Sequence, residues 1–254
     1  MDRGIYAATS AGLSQLKRIE VVNNNLANIN TAGFKRQFLV TQAESFDQTI
    51  ASTMSKQDPY ARGDHDRVMP VVSTETRTDF AAGPVKYTGN PLDVALRNPN
   101  DFFVISTNQG LQYTRAGDFT INTNGELVTQ DGFPVQGEGG SIATSGSSVS
   151  INADGSVRAG GQTAGRLAVT RVDNPEKLER AGNSRFKLPQ GGANAGVDVD
   201  PELVTSSLEM SNESAISSVV EMMTTQRAFQ AYTKTIESVD TLNQAAINQI
   251  GRAR

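Results

Sequence analysis

The sequence predicts a mixed α and β fold: N- and C-terminal α-helices forming a coiled-coil-like pair, with an inserted β-rich domain. Three observations predict it. Apolar residues recur every three or four positions at both ends of the 254-residue chain. Of its 23 glycines, 18 lie between Gly83 and Gly196. Within that interval, short β-branched and aromatic runs alternate with Asn-Gly and Asp-Gly turns.

The first element is a helix. Ile5, Ala8, Gly12, Leu16, Ile19, Val22, Leu26 and Ile29 fall on one stripe at helical spacing, and Gly33 is expected to stop it. Residues 1–37 are assigned to this N-terminal helical segment. Residues 38–80 read as a connector, extended or partly helical. Within it, Gln48 to Met54 suits a further helix, Pro59 through Pro70 a loop, and Val68 to Phe80 extended chain.

Residues 81–202 read as the β-rich domain. Candidate strands are Val85 to Tyr87, Leu92 to Leu96, Phe102 to Ile105, Gln112 to Thr114, Phe119 to Ile121 and Leu167 to Val172. Turns are expected at Asn124-Gly125, Asp131-Gly132 and Asp154-Gly155. The stretch Ile121 to Leu127 is echoed by Ile151 to Val157, each reading as strand, tight turn and strand. A lectin-like or sandwich-like arrangement is expected. In Tyr113 to Phe119, Arg115 and Asp118 flank Gly117; a positive φ at Gly117 would let the two charges meet across a pinned turn.

Residues 203–254 form the C-terminal helical segment. Ile216, Val219, Met223, Gln226, Phe229, Tyr232, Ile236, Val239, Leu242, Ala246 and Ile250 have a mean spacing near the 3.5-residue period of a left-handed coiled coil. Ser211 or Asn212 is expected to cap the helix, with Glu213 in its first turn. The other faces carry Ser218, Thr225, Thr235, Asn243 and similar uncharged polar residues, which cost less to bury than charges. Neither terminal stripe is buried by its own helix, so the two are expected to pair with each other or with copies.

Composition narrows the chemistry. With no cysteine and no tryptophan, disulfides, thiolate catalysis and cysteine zinc sites are excluded. The single histidine, His65, rules out a multi-histidine metal site. Asp64-His65-Asp66 reads as a solvated loop, and Asn122 to Gly125 as a hairpin turn that lacks the leading aspartate of a calcium loop. The net charge of −4 and the isolated pairs Lys17-Arg18 and Lys35-Arg36 give no nucleic-acid surface. No run of apolar residues is long enough to cross a membrane, and Arg3 is followed by no secretory apolar core. No catalytic residue, cofactor site or metal site is expected, and the protein is read as a non-enzyme.

Three stretches carry a resemblance. Asn23-Asn24-Asn25-Leu26-Ala27-Asn28-Ile29-Asn30-Thr31-Ala32-Gly33-Phe34-Lys35 resembles the N-terminal signature of bacterial flagellar axial proteins: rod, hook and hook-associated. Gly89-Asn90-Pro91-Leu92-Asp93-Val94-Ala95 and Tyr113 to Phe119 resemble the β-domain of its hook and rod members. Leu208-Glu209-Met210-Ser211-Asn212-Glu213, followed by Val220 to Met223 and Gln226 to Tyr232, resembles the C-terminal signature. Glu213 departs from the valine that the family often has there. The opening Met1-Asp2-x-x-Ile5-Tyr6 and the modest length are most similar to proximal rod subunits; distal ones usually carry a tryptophan near the start.

The resemblance implies a structural subunit of the flagellar basal-body rod, exported unfolded through the flagellar type III apparatus without signal cleavage. Such subunits polymerise in the periplasm, beside other rod proteins and copies of themselves, into a drive shaft carrying torque from motor to hook. It implies helices in an inner layer and β structure outside. The expected assembly interface is Ile5, Leu16, Ile19, Val22, Leu26, Ile29, Ile216, Val219, Met223, Phe229, Tyr232, Ile236, Val239, Leu242 and Ile250; Gly33, Arg115, Gly117 and Asp118 are expected as structural turns. The alternatives are a distal rod subunit and, from another class, a secreted carbohydrate-binding or adhesin β-domain with oligomerising helical ends. The lack of tryptophan to stack on sugars disfavours the last.

Overall fold

Apolar periodicity at the two ends becomes two long helices in a computed structural model, which describes residues 2–45, 70–144, 148–182, 184–188 and 197–252. Helix α1 spans Asp2–Ala27 and α2 spans Ala215–Arg252. Met1–Leu26, Gln37–Arg77 and Ala215–Arg254 make one compact unit; Ala27–Arg36 and Thr78–Ser214 make a second, β-rich one. This division is not sequential. The β-rich unit recruits ten residues, Ala27–Arg36, from the N-terminal segment, and strands Leu203–Thr205 and Ser207–Glu209 pair into it instead of belonging to the C-terminal helix.

In the helical unit, α1 and α2 pack against each other, with Arg18 Nε meeting Glu221 Oε1 at 3.0 Å. The least exposed positions of α1 include Ala8, Gly12, Gln15, Ile19, Val22 and Leu26. Those of α2 include Ser218, Met222, Thr225, Phe229, Tyr232, Ile236 and Val239. Both series alternate steps of four and three, the seam of a coiled coil. Strands Gln37–Ser45 and Pro70–Thr78 pair as a two-stranded sheet, so the expected connector is a β-ribbon where it is described. The helix expected at Gln48 to Met54, the loop from Pro59 and the Asp64-His65-Asp66 triplet lie outside the described residues.

The β-rich unit is built around a six-stranded antiparallel sheet. Its order is Glu179–Arg180, Arg185–Lys187, Gly110–Thr114, Asp101–Thr107, Val169–Arg171, Val197–Val199. Strand Asp101–Thr107 reads Phe102-Phe103-Val104-Ile105 without alternation because both of its faces are covered. Phe103 and Ile105 join a core with Val94, Leu127, Val157 and Leu167; Phe102 joins Phe80 and Phe186 on the other side. A three-stranded sheet and short two-stranded ribbons surround the main sheet, in place of the two opposed sheets of a sandwich. The internal repeat is real at the level of hydrogen bonds. Asn122 N–H donates to Glu126 O at 3.0 Å and Asn152 N–H to Ser156 O at 2.9 Å. Gly125 and Gly155 occupy equivalent left-handed positions, φ 79° and 80°. The Asn122 side chain is spent inside its own turn, accepting from the Asn124 and Glu126 amides.

Candidate assembly surface and its buried anchor

Helix pairing leaves part of the expected stripe facing solvent. Ile216 is 79% exposed, Leu242 67%, Met223 50%, Val219 43% and Leu16 40%. Ile19, Leu26, Ile29, Phe229, Tyr232, Ile236 and Val239 are half-buried and Val22 is buried. Nothing is described for the side chains of Ile5 and Ile250. The first turns of α2 are therefore rotated from the expected register: Ser218 and Thr225 face inward, and Ile216, Val219 and Met223 face outward. Small residues suit a close seam, and the Thr225 hydroxyl donates to Glu221 O at 2.7 Å within its own helix, so its burial leaves no donor unpaired. Exposed Leu13 and Val220 extend the outward apolar set.

Capping also differs from expectation. Helix α2 begins at Ala215, after Ser211, Asn212 and Glu213. Asn212 is used elsewhere: its Oδ1 accepts from the Arg36 amide at 2.8 Å, and its Nδ2 donates to Asp79 O and Ala81 O. Likewise α1 ends at Ala27, well before Gly33. Gly33 serves a close approach: at φ 64°, any Cβ there would run into the backbone of Arg115 and Ala116.

These substitutes for capping belong to one construction. Segment 27–36 lies across the β-rich unit like a strap. The Gly33 amide donates to Glu209 O at 2.7 Å, and Phe34 is buried beneath the Arg180 guanidinium, 4.4 Å from the ring centroid. Lys35, fully buried, donates from Nζ to Glu209 Oε1 at 2.7 Å and to Ala81 O at 2.7 Å. Arg115 donates from Nε to Glu209 Oε2 at 2.7 Å, while its Nη1 reaches the carbonyls of Asn98, Pro99 and Asp101. The Gly83 amide completes the set at Glu209 Oε1, 3.0 Å away. Lys35, Arg115 and Glu209 come from the three resembling stretches, so those stretches converge on one carboxylate.

Electrostatics follow from that geometry. Burial raises the Glu209 carboxyl, but Arg115, Lys35 and the Gly83 amide outweigh it and hold the group below the usual carboxylate range. Burial pulls the Lys35 ammonium down from its ordinary value, against the opposing pull of Glu209. The Arg115–Asp118 pair expected from sequence is not formed: Arg115 is committed to Glu209, and Gly117 has no positive φ. Gly117 is required for a different reason, since a Cβ there would collide with Val94 O. Asn25, not singled out by periodicity, exchanges two hydrogen bonds with the Gln37 backbone and fixes the start of the ribbon.

The chain thus combines paired terminal helices that carry apolar side chains at the surface with a β-rich unit anchored on one buried carboxylate, the make-up of a structural protein. Residues 5–35 match the family described as "Flagella basal body rod protein", 98–159 the "Flagellar hook protein FlgE/F/G D1 domain", and 204–250 the "Flagellar basal body rod FlgEFG protein C-terminal". The chain belongs to the flagellar basal-body rod protein family. It is 30% identical to rod protein FlgF of Caulobacter vibrioides, covering 99% of each chain. It is 32% identical to FlgF of Escherichia coli, covering 98% of each. Against rod protein FlgG of Bacillus subtilis the identity is 31%, over 98% of this chain and 99% of that one.

Proposed function

We propose that this chain is a structural, non-enzymatic subunit of the proximal part of the flagellar rod. It polymerises through α1 and α2, with copies of itself and other rod proteins, into the periplasmic shaft that carries torque from motor to hook. Delivery is by the flagellar type III apparatus without signal cleavage. The interface is the set named from sequence, with Leu16, Ile216, Val219 and Met223 as its accessible part. The observation that carries this reading is the row of exposed apolar side chains on paired helices, a surface that buries itself by association.

Ile216→Asp and Met223→Asp in the purified full-length chain test it. Both should leave the thermal melt of the monomer unchanged and raise the concentration needed for sedimentable polymer. Equal polymerisation by these variants and the wild type would overturn it. The 31% identity to a FlgG favours a distal position as a second reading. Complementation separates them: the chain should restore motility to a strain lacking FlgF and not to one lacking FlgG.

A further inference from the structure

Among the described residues, three buried side-chain atoms have no hydrogen-bond partner: Gln112 Oε1, Ser184 Oγ and Arg185 Nε. They fall in one place. Gln112 lies on strand Gly110–Thr114, which pairs with strand Arg185–Lys187 so that Arg185 stands opposite Thr114. Ser184 immediately precedes that second strand. Native proteins seldom leave buried polar atoms unmet.

Ser184 and Arg185 line a cavity of about 200 Å³ within the β-rich unit. Several other polar groups of its wall are already engaged. The Thr114 hydroxyl donates to Ser184 O at 2.9 Å, the Thr31 hydroxyl to Asn28 Oδ1 at 3.2 Å, and Gln130 Nε2 to Asp118 O at 3.2 Å. Three groups stand out from these. Ser184 Oγ can donate and accept, and its residue is 2% exposed. Arg185 Nε can only donate. Its guanidinium stacks on Phe133, 4.5 Å from the ring centroid, and the Asp131 carboxylate lies 3.8 Å from Nε, beyond hydrogen-bond reach. Asp118 is half-buried in the same wall, forms no ion pair among the described residues, and when ionised can only accept. Burial, and then the charges of Asp93 and Asp131, push its carboxyl up.

This mixture selects its occupant. A cation is repelled by Arg185 and leaves Nε unmet. An anion is repelled by Asp118 and Asp131. An apolar group leaves every one of these polar atoms unmet. A neutral group with both an acceptor and a donor suits all of them: a carbonyl oxygen accepts from Arg185 Nε and Ser184 Oγ, and an NH₂ donates to Asp118. Pockets for whole drug-sized ligands run to roughly 300–1,000 Å³, so this smaller cavity suits a group of few heavy atoms.

We infer that this cavity is a binding site for a primary carboxamide, presented by a free small amide or by the end of an asparagine or glutamine side chain. Acetamide, acetate and acetamidinium are planar, share one heavy-atom skeleton and differ in charge and donors, so they are the probes. Each is titrated into the full-length chain and followed by the Ser184 amide and Arg185 Nε resonances. Acetamide should half-saturate at about 1 mM, within reach of so few heavy atoms, and should bind about tenfold or more tighter than either ion. Ser184→Gly removes the hydroxyl and relaxes a left-handed backbone (φ 57°), so it stays folded; it should bind acetamide about threefold or more weakly. Asp118→Asn lifts the repulsion of acetate, so the preference for acetamide over acetate should shrink about tenfold. Tightest binding by acetate makes the cavity an anion site, and tightest binding by acetamidinium makes it a cation site; either overturns the inference. So do equal binding of the three probes, saturable binding by none, as for a cavity that takes water alone, and an unchanged preference in Asp118→Asn. N-acetylglutamine N-methylamide separates the two sources: binding tighter than acetamide assigns the side chain, and weaker binding assigns the free amide.

Discussion

Glu209→Gln isolates what the buried anchor contributes. Glu209 is 1% exposed and receives Lys35 Nζ and Arg115 Nε at 2.7 Å each, plus the Gly83 amide. A carboxamide keeps one acceptor oxygen but turns an NH₂ toward a cationic donor, and it removes the negative charge shared by two buried cations. Breaking a buried pair from one side costs about 3–5 kcal/mol. At about 2–4 °C per kcal/mol for a unit of this size, the melt should fall by about 6–20 °C. The assay is differential scanning calorimetry of the full-length chain, with Lys35→Met as the comparison. That variant removes one buried cation and leaves Glu209 with Arg115, so it should lose less than Glu209→Gln. A shift in Glu209→Gln of less than about 2 °C, or a larger loss in Lys35→Met, would refute the reasoning that uncompensated charge sets the cost.

Further outcomes follow from the same geometry. Because Glu209 is held below its ordinary value, the unfolded chain binds more protons, so its contribution is present above the ordinary carboxylate value and is lost as pH falls through the folded one. Urea titrations from pH 7 to pH 3 should therefore show wild type and Glu209→Gln converging toward acid. Gly33→Ala meets both a left-handed φ and the Arg115–Ala116 backbone, and should cost about 1–3 kcal/mol in chemical unfolding. Asn212→Ala removes an acceptor from the Arg36 amide and two donors from Nδ2, and amide exchange at Arg36 should accelerate. Phe229→Asp, at a half-buried seam position, should lower the helix content of the monomer by circular dichroism, unlike exposed Ile216→Asp.

What the sequence revealed and what it hid have physical causes. Helices α1 and α2 were legible because a 3.6-residue period is a local property of the chain. The hairpin turns were legible because Asn-Gly and Asp-Gly select a left-handed residue locally. The register of α2 was not. A stripe drawn through the largest apolar residues passes through Ile216 and Met223, whereas the seam takes Ser218 and Thr225, whose small size decides the fit of two helices and leaves no periodic mark. Gly33 and Asn212 look locally like a helix stop and a helix cap, but each is fixed by a backbone far away in sequence.

Arg115 shows the same limit most clearly. From sequence its nearest opposite charge is Asp118, and the true partner stands 94 positions on. Pairing at that distance carries no local signal, yet the residues involved are those that make the three stretches recognisable. The three stretches meet at one buried carboxylate that is held by both a lysine and an arginine. The lysine arrives on segment 27–36, which directly follows α1 in the chain and belongs to the β-rich unit. Pulling segment 27–36 away would take the Lys35 ammonium from Glu209 and leave the buried carboxylate with Arg115 alone, so the joint resists separation by the share of the charge balance that Lys35 supplies.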